Sequence, residues 1–270
     1  MTKLPYWHVD AFADRPFAGN QAAVMPLENW LPDAVLQAIA EENNFAETAF
    51  VVRDESGAAA GAADWELRWF TPTSEVKLCG HATLASGHVL LTRDGGDEVS
   101  FRTRHAGLLH VRRQGEGYEL SLPTSRVEEL AVPGLLEALG IDAPVFDTVE
   151  GTEETSIVLL ESEAQLRAIS PDMRALEQID RMAICTAPGE TVDVVSRVFV
   201  PAWGVPEDSV TGSAHAVLAP FWAERLGRTS FTAHQASQRG GDLTCRLEED
   251  RVWLGGPCVT VVEGIFHLSD

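Results

Sequence analysis

A chain of 270 residues, 45% hydrophobic and 23% charged, holds enough apolar material for one or two packed domains of a soluble globular kind. Its 20 basic and 41 acidic residues leave a net charge of −21, which argues against nucleic acid or an anionic membrane as a partner. No run approaches the ~18 apolar residues of a membrane span, and the start lacks a signal-like apolar region. Four scattered cysteines without a CxxC pair suit a reducing cytoplasm better than a disulfide frame or a zinc site.

In chain order, "YWHVDAF" and "AAVMPL" read as strands around the Gly-Asn turn of "RPFAGN". "LPDAVLQAIAEEN" predicts a helix with Pro32 in its first turn and apolar residues at 35, 36 and 39. "FAETAFVVR" and "WELRWF" are strand-like, and "HATLASGHVLLTR" predicts a helix closed by Gly95-Gly96. Strand-like runs follow at "GLLHVRR" and "GYELSLP", then a helix at "PGLLEALG" and a strand at "TSIVLLES". "EAQLRAISPDMRALEQI" is a helix broken at Pro171, and "VDVVSRVFVPA" is a strand. "SAHAVLAPFWAERLG" is a helix, and further strand-like runs end the chain. Strands outnumber helices without strict alternation, so the fold class is α+β.

The chain repeats itself. Arg68, Phe70 and Pro72 return as Arg197, Phe199 and Pro201, at an offset of 129 positions (68 to 197). Beyond each strand, Gly80-His81 answers Gly212-Ser213 at an offset of 132 (80 to 212), so the second loop is three residues longer. Val89 then corresponds to Phe221 and Leu90 to Trp222. Duplication into two similar halves accounts for this, and so does chance likeness between two strand–loop–helix units.

Each repeat sets a glycine and a small polar residue at the mouth of an apolar helix. A helix start carries unsatisfied N–H groups and the positive dipole end, and glycine lets a ligand approach the backbone. Two such starts could hold a carboxylate without a basic patch. Alternatively each glycine only permits a tight turn and Ser213 only caps its helix. Three ionisable residues lie nearby. Glu47 stands among small and apolar neighbours, surroundings that suit a carboxyl group to giving and taking protons near neutral pH. Asp208 lies in the loop before the second helix, and His81 opens the first, where the dipole favours a neutral ring. A backbone-bonded turn for Glu47 and capping roles for Asp208 and His81 are the structural alternatives.

The segments "HVDAFADRPFAGNQAAV", "NNFAETAFV", "LRWFTP…LCGHATLASG" and "RVFVPAWGVPEDSVTGSAHAVL" together resemble, in order and spacing, the phenazine-biosynthesis isomerase-like (PhzF-like) family. The resemblance runs over essentially the whole chain. It implies a diaminopimelate-epimerase-like fold of two pseudo-symmetric halves, each an antiparallel barrel-like sheet around a central helix, with the active site in the cleft between. The halves are expected at 1–115 and 116–270, with the last strand, about 259–270, returning to the first. The family's acid/base glutamate maps onto Glu47. Its Gly-His, Asp and Ser map onto Gly80, His81, Asp208 and Ser213, beside Thr211 and Gly212. The family implies no metal and no cofactor.

Two departures qualify the match. Ser209 stands where the family commonly has proline. Cys79 lies near a catalytic cysteine of the related epimerases, but Asp208 and Ser209 stand where a second one would be. The expected function is therefore a cytoplasmic, cofactor-independent isomerase acting on a small anionic substrate, with Glu47, His81 and Asp208 catalytic and Gly80, Thr211, Gly212 and Ser213 binding. A homodimer is an assembly open to it. The alternatives are a racemase using Glu47 and Cys79, or a non-catalytic binding protein that kept the fold.

Overall fold

The structure is a computed structural model that describes residues 2–56, 63–150 and 154–268. The chain forms two compact units, Met1–Ser121 with Gly255–Asp270, and Leu122–Leu254. The first unit reaches beyond residue 115 because β8 (Gly117–Pro123) pairs antiparallel with β7 (Leu108–Gln114).

In the first unit, β1 (Thr2–Ala11) pairs antiparallel with β2 (Asn20–Leu27) on one side and with β18 (Cys258–Leu268) on the other. β2 runs parallel to β3 (Glu47–Arg53), and α1 (Asp33–Asn43) makes the crossover. β3 pairs antiparallel with β4 (Trp65–Phe70), and β4 pairs with the two-residue β5 (Glu75–Val76). α2 (Gly80–Asp94) then crosses over to β6 (Glu98–Arg102), which lies parallel to β4 and antiparallel to β7.

The second unit repeats this plan element by element. β9 (Arg126–Glu129) pairs with β10 (Val145–Glu150) as β18 pairs with β1. β10 pairs antiparallel with β11 (Thr155–Leu159), which runs parallel to β12 (Met182–Pro188). α3 (Leu135–Leu139) lies between β9 and β10, and α4 (Glu163–Ala168) and α5 (Met173–Leu176) lie between β11 and β12. The last two are the interrupted helix foreseen around Pro171. β13 (Val194–Val200) pairs antiparallel with β12 and β14 (Val205–Asp208). After α6 (Gly212–Leu226), β15 (Ser230–Gln235) lies parallel to β13 and antiparallel to β16 (Gly241–Glu248); β17 (Arg251–Gly256) follows. Two helical crossovers per unit make each sheet mixed rather than wholly antiparallel, because a helix between neighbouring strands returns the chain in the same direction.

The repeat has a structural counterpart. Arg68 holds Glu75 in a two-point bond, Nε to Oε1 at 2.7 Å and an Nη to Oε2 at 2.8 Å. Arg197 holds Glu207 the same way, at 2.8 and 3.0 Å. Each guanidinium also lies over the phenylalanine two residues on, Phe70 at 5.0 Å and Phe199 at 4.9 Å. The partner glutamates were not foreseen from sequence. They already stand at the later offset of 132 (75 to 207), so the three extra residues enter between Pro201 and Glu207.

α2 and α6 are apolar around most of their circumference, as a helix surrounded by core must be. Gly87 is required by this packing: a Cβ there would lie 2.3 Å from the side chain of Val111 on β7. α1 covers a separate core of Met25, Leu36, Ile39 and Phe50, while α3, α4 and α5 cover one built on Val158, Cys185, Val195 and Phe199.

Candidate active site

In the first unit the starts of three elements converge. Asn44 adopts a left-handed φ of 50° and donates its backbone N–H to Ala40, which ends α1. The chain then enters β3 at Glu47, opposite Ala22 of β2 in a parallel register. Cys79, with extended φ of −143°, caps α2 without a side-chain bond, so Gly80 and His81 form the first turn. Asn20 opens β2 after a turn that requires Gly19, whose φ is 63° and whose Cβ would lie 2.2 Å from Ala11 O.

His81 is the hub. Its Nε2 lies 3.1 Å from Glu47 Oε2 and 3.2 Å from Gln21 O. Both neighbours accept, so Nε2 carries a hydrogen. Its Nδ1 faces Asn20 Nδ2 at 3.1 Å and Cys79 Sγ at 3.5 Å. The ring is 4% exposed and the Glu47 side chain 17%. Burial opposes a charge on the imidazole, but the Glu47 carboxylate in contact with Nε2 outweighs it and holds His81 well above its ordinary pKa. The helix-start dipole foreseen as keeping the ring neutral is thus overridden by a carboxylate in contact. Glu47 faces an imidazole rather than the apolar wall its sequence neighbours suggested. Around this pair, Phe45 stacks on His8 at 4.3 Å, and Gln21 Nε2 reaches His8 at 3.3 Å.

Cys79 is a poor base. Burial, reinforced by the nearby Glu47 charge, pushes its thiol up to about 12. Glu47, Cys79 and His81 each bring a ligand atom within 4.8 Å of one another. The sulfur contacts Nδ1 at 3.5 Å and Glu47 Oε2 contacts Nε2 at 3.1 Å.

In the second unit, Asp208 ends β14 and its carboxylate is engaged within its own loop. Oδ2 accepts the Thr211 hydroxyl at 2.5 Å, and Oδ1 accepts the Ser209 N–H at 2.8 Å. A proline at 209 could not donate that second bond, so Ser209 adds a tie that the family's commoner residue cannot make. Buried Gln235 was not singled out from sequence. It donates to Asp208 O at 2.9 Å and to the Thr211 hydroxyl at 3.1 Å, while Thr211 N–H donates to its Oε1 at 2.8 Å. Thr211, extended at φ −112°, caps α6 as Cys79 caps α2, and Gly212 and Ser213 form the first turn. Glu47, Gly80 and His81 thus share one unit, while Asp208, Thr211, Gly212 and Ser213 share the other.

The chemistry is not duplicated. The position matching Glu47 in register is Met182, paired with Thr155 as Glu47 is with Ala22, and it is buried. His81 corresponds to Ser213 and Cys79 to Thr211. The Glu47–His81 contact therefore has no counterpart at the equivalent position, where Met182 and Ser213 stand.

The description "Phenazine biosynthesis-like protein" matches residues 9–264 at family level. The chain belongs to this family. It is 48% identical to an uncharacterized isomerase of Pseudomonas aeruginosa, over 99% of this chain and all of that one. It is 37% identical to the human phenazine biosynthesis-like domain-containing protein, over 97% of this chain and 98% of that one. The crystal structure of a PhzF-family phenazine biosynthesis protein from Enterococcus faecalis superposes with a TM-score of 0.89 at 41% identity, covering 99% of this chain and all of that one. A hydroxyproline epimerase from Agrobacterium vitis shares the fold, with a TM-score of 0.65 at 13% identity and 99% and 93% coverage. The enzyme class is isomerase, and the two-unit, epimerase-like α+β architecture is that of the family. No helix among the described residues is long and apolar enough to cross a membrane.

Proposed function

We propose that the protein moves a proton between carbons of a small carboxylate-bearing molecule, with Glu47 as the acid/base and with no chemistry beyond its own side chains. The observation that carries this is the buried Glu47–His81 contact at 3.1 Å on one half only of a duplicated fold. A structural role in the repeat would recur at Met182; a reaction needs the group once. The Glu47 side chain is 17% exposed, so a substrate can reach it while Oε2 stays buried beside the imidazole. The thiol at about 12 argues against Cys79 as a second base. Each helix start, at Gly80-His81 and at Gly212-Ser213, is a proposed carboxylate-binding point. Asp208 and Thr211 shape the second of these.

The test is exchange of carbon-bound hydrogen in deuterated water, screened over small carboxylates with the purified protein. Glu47→Gln should slow exchange about 100- to 10,000-fold, the usual worth of a general base, while leaving the melting temperature close to that of the parent. Exchange at the parental rate in that variant would remove Glu47 from the role.

A further inference from the structure

The "AGNQ" stretch, part of the segment that carries the family resemblance, lies against both nitrogens of His81. The strained turn at Gly19 delivers Asn20, 2% exposed, to the Nδ1 side of His81, and the next residue, Gln21, offers its carbonyl to Nε2. Two consecutive residues therefore grip both nitrogens of one ring.

We propose that Asn20 is a positioning residue: its side-chain amide holds the His81 ring through Nδ1 and so keeps the Nε2 hydrogen on the side of Gln21 O and Glu47. In a neutral imidazole, the partner of one nitrogen decides which nitrogen bears the proton. Nε2 faces two acceptors and bonds Gln21 O, and Nδ1 faces an amide N–H, so the Nε2–H tautomer is the one that matches both nitrogens to their neighbours. The alternative tautomer would set N–H against N–H at Nδ1 and leave a bare Nε2 against two oxygens. Cys79 Sγ, at 3.5 Å, is too weak a partner to enforce the choice alone. An amide has a further property here. By turning over it presents its oxygen, so Asn20 stays bonded when Nδ1 gains a proton. Aspartate at this position can only accept, and leucine can do neither.

The assignment of the ring is independent of turnover; only its catalytic consequence rests on the reading of Glu47. The experiment is NMR of the imidazole nitrogens in full-length, histidine-15N-labelled protein without substrate, with His81→Gln identifying the His81 signals. At the alkaline end of the titration, where the ring is neutral, the parent should carry its proton on Nε2. Asn20→Leu should give a mixture of the two tautomers, and Asn20→Asp should hold the imidazolium to higher pH than in the parent. Asn20→Asp differs by one atom type and serves if the leucine variant does not fold. A parental ring protonated at Nδ1, or Asn20 variants with an unchanged spectrum, overturns the proposal. Failure of the acid/base reading shows separately, as unaltered exchange in Glu47→Gln with this NMR signature intact.

Discussion

At the scale of single residues, the two central helices show what a carboxylate does to a buried histidine. His81 touches Glu47 and is held above its ordinary value, whereas His215, in the first turn of α6, has no acid beside it. Its Nδ1 donates to Thr211 O at 2.8 Å, its Nε2 is buried without a partner, and burial pushes it down to about 4. The unfolded ring titrates near 6.5, so the unfolded state takes up the proton first as pH falls. The stability His215 contributes is full above about pH 6.5 and is lost on the way down to about 4, by roughly 3 kcal/mol over that window. Replacing it with Gln, which can still donate to Thr211, should flatten this part of the stability–pH curve measured by urea unfolding. An equally steep decline in both proteins would place the acid sensitivity elsewhere. Glu47 and His81 were legible as candidates because motifs single them out, but their contact was not. They lie far apart in sequence, and only the β3 register and the α2 start bring them together. Asn20 and Gln235 were illegible for another reason: a buried amide takes its meaning from its partners, and nothing in the local sequence names them.

At the scale of elements, long segments with a clear period were read correctly and short ones were lost. α2 and α6 announce themselves by apolar runs ending at Gly95 and Gly227. β5 has two residues and β14 four, too few to show alternation, and β12 is a continuous apolar run between loops. What holds β5 and β14 is the arginine clamp rather than strand propensity. Arg68 is almost fully buried, bonded to Glu75 and Asp33, and lies near the rings of Trp30 and Phe70. Arg68→Ala removes both the ion pair and the packed stem, and should cost about 3 kcal/mol in urea unfolding. Arg68→Met keeps the stem and leaves Glu75 partly in reach of water, so it should cost less than half as much. Arg197→Ala should follow Arg68→Ala, since the second clamp has the same geometry. If either alanine variant is no worse than Arg126→Ala, a surface control, the clamp contributes nothing to the loop.

At the scale of the whole molecule, the duplication was visible in sequence as a few matched residues, and the structure extends it to nine strands per half among the described residues. The boundary was harder to read because each half's ninth strand belongs to the other unit: β9 follows β8 in the chain yet pairs with β10, and β18 follows β17 yet pairs with β1. β1 therefore depends on the far end of the chain. Its register with β18 runs from Thr2 opposite Leu268 to Ala11 opposite Cys258, and Phe266 and Leu268 join Leu4 in the α1 core. Deleting residues 258–270 would leave β1 with β2 alone over Trp7 to Ala11 and with no partner over Thr2 to Tyr6. Amide protons of β1 should then exchange through local opening rather than global unfolding, while β12 and β13, which share no strand with β18, keep their protection. His8 sits on β1 and stacks on Phe45, so the loop leading to Glu47 should loosen as well. Hydrogen exchange followed by mass spectrometry resolves these segments. Loss of protection spread evenly over both units would mean that the two fold as one, and that β18 serves the whole chain rather than the unit it completes.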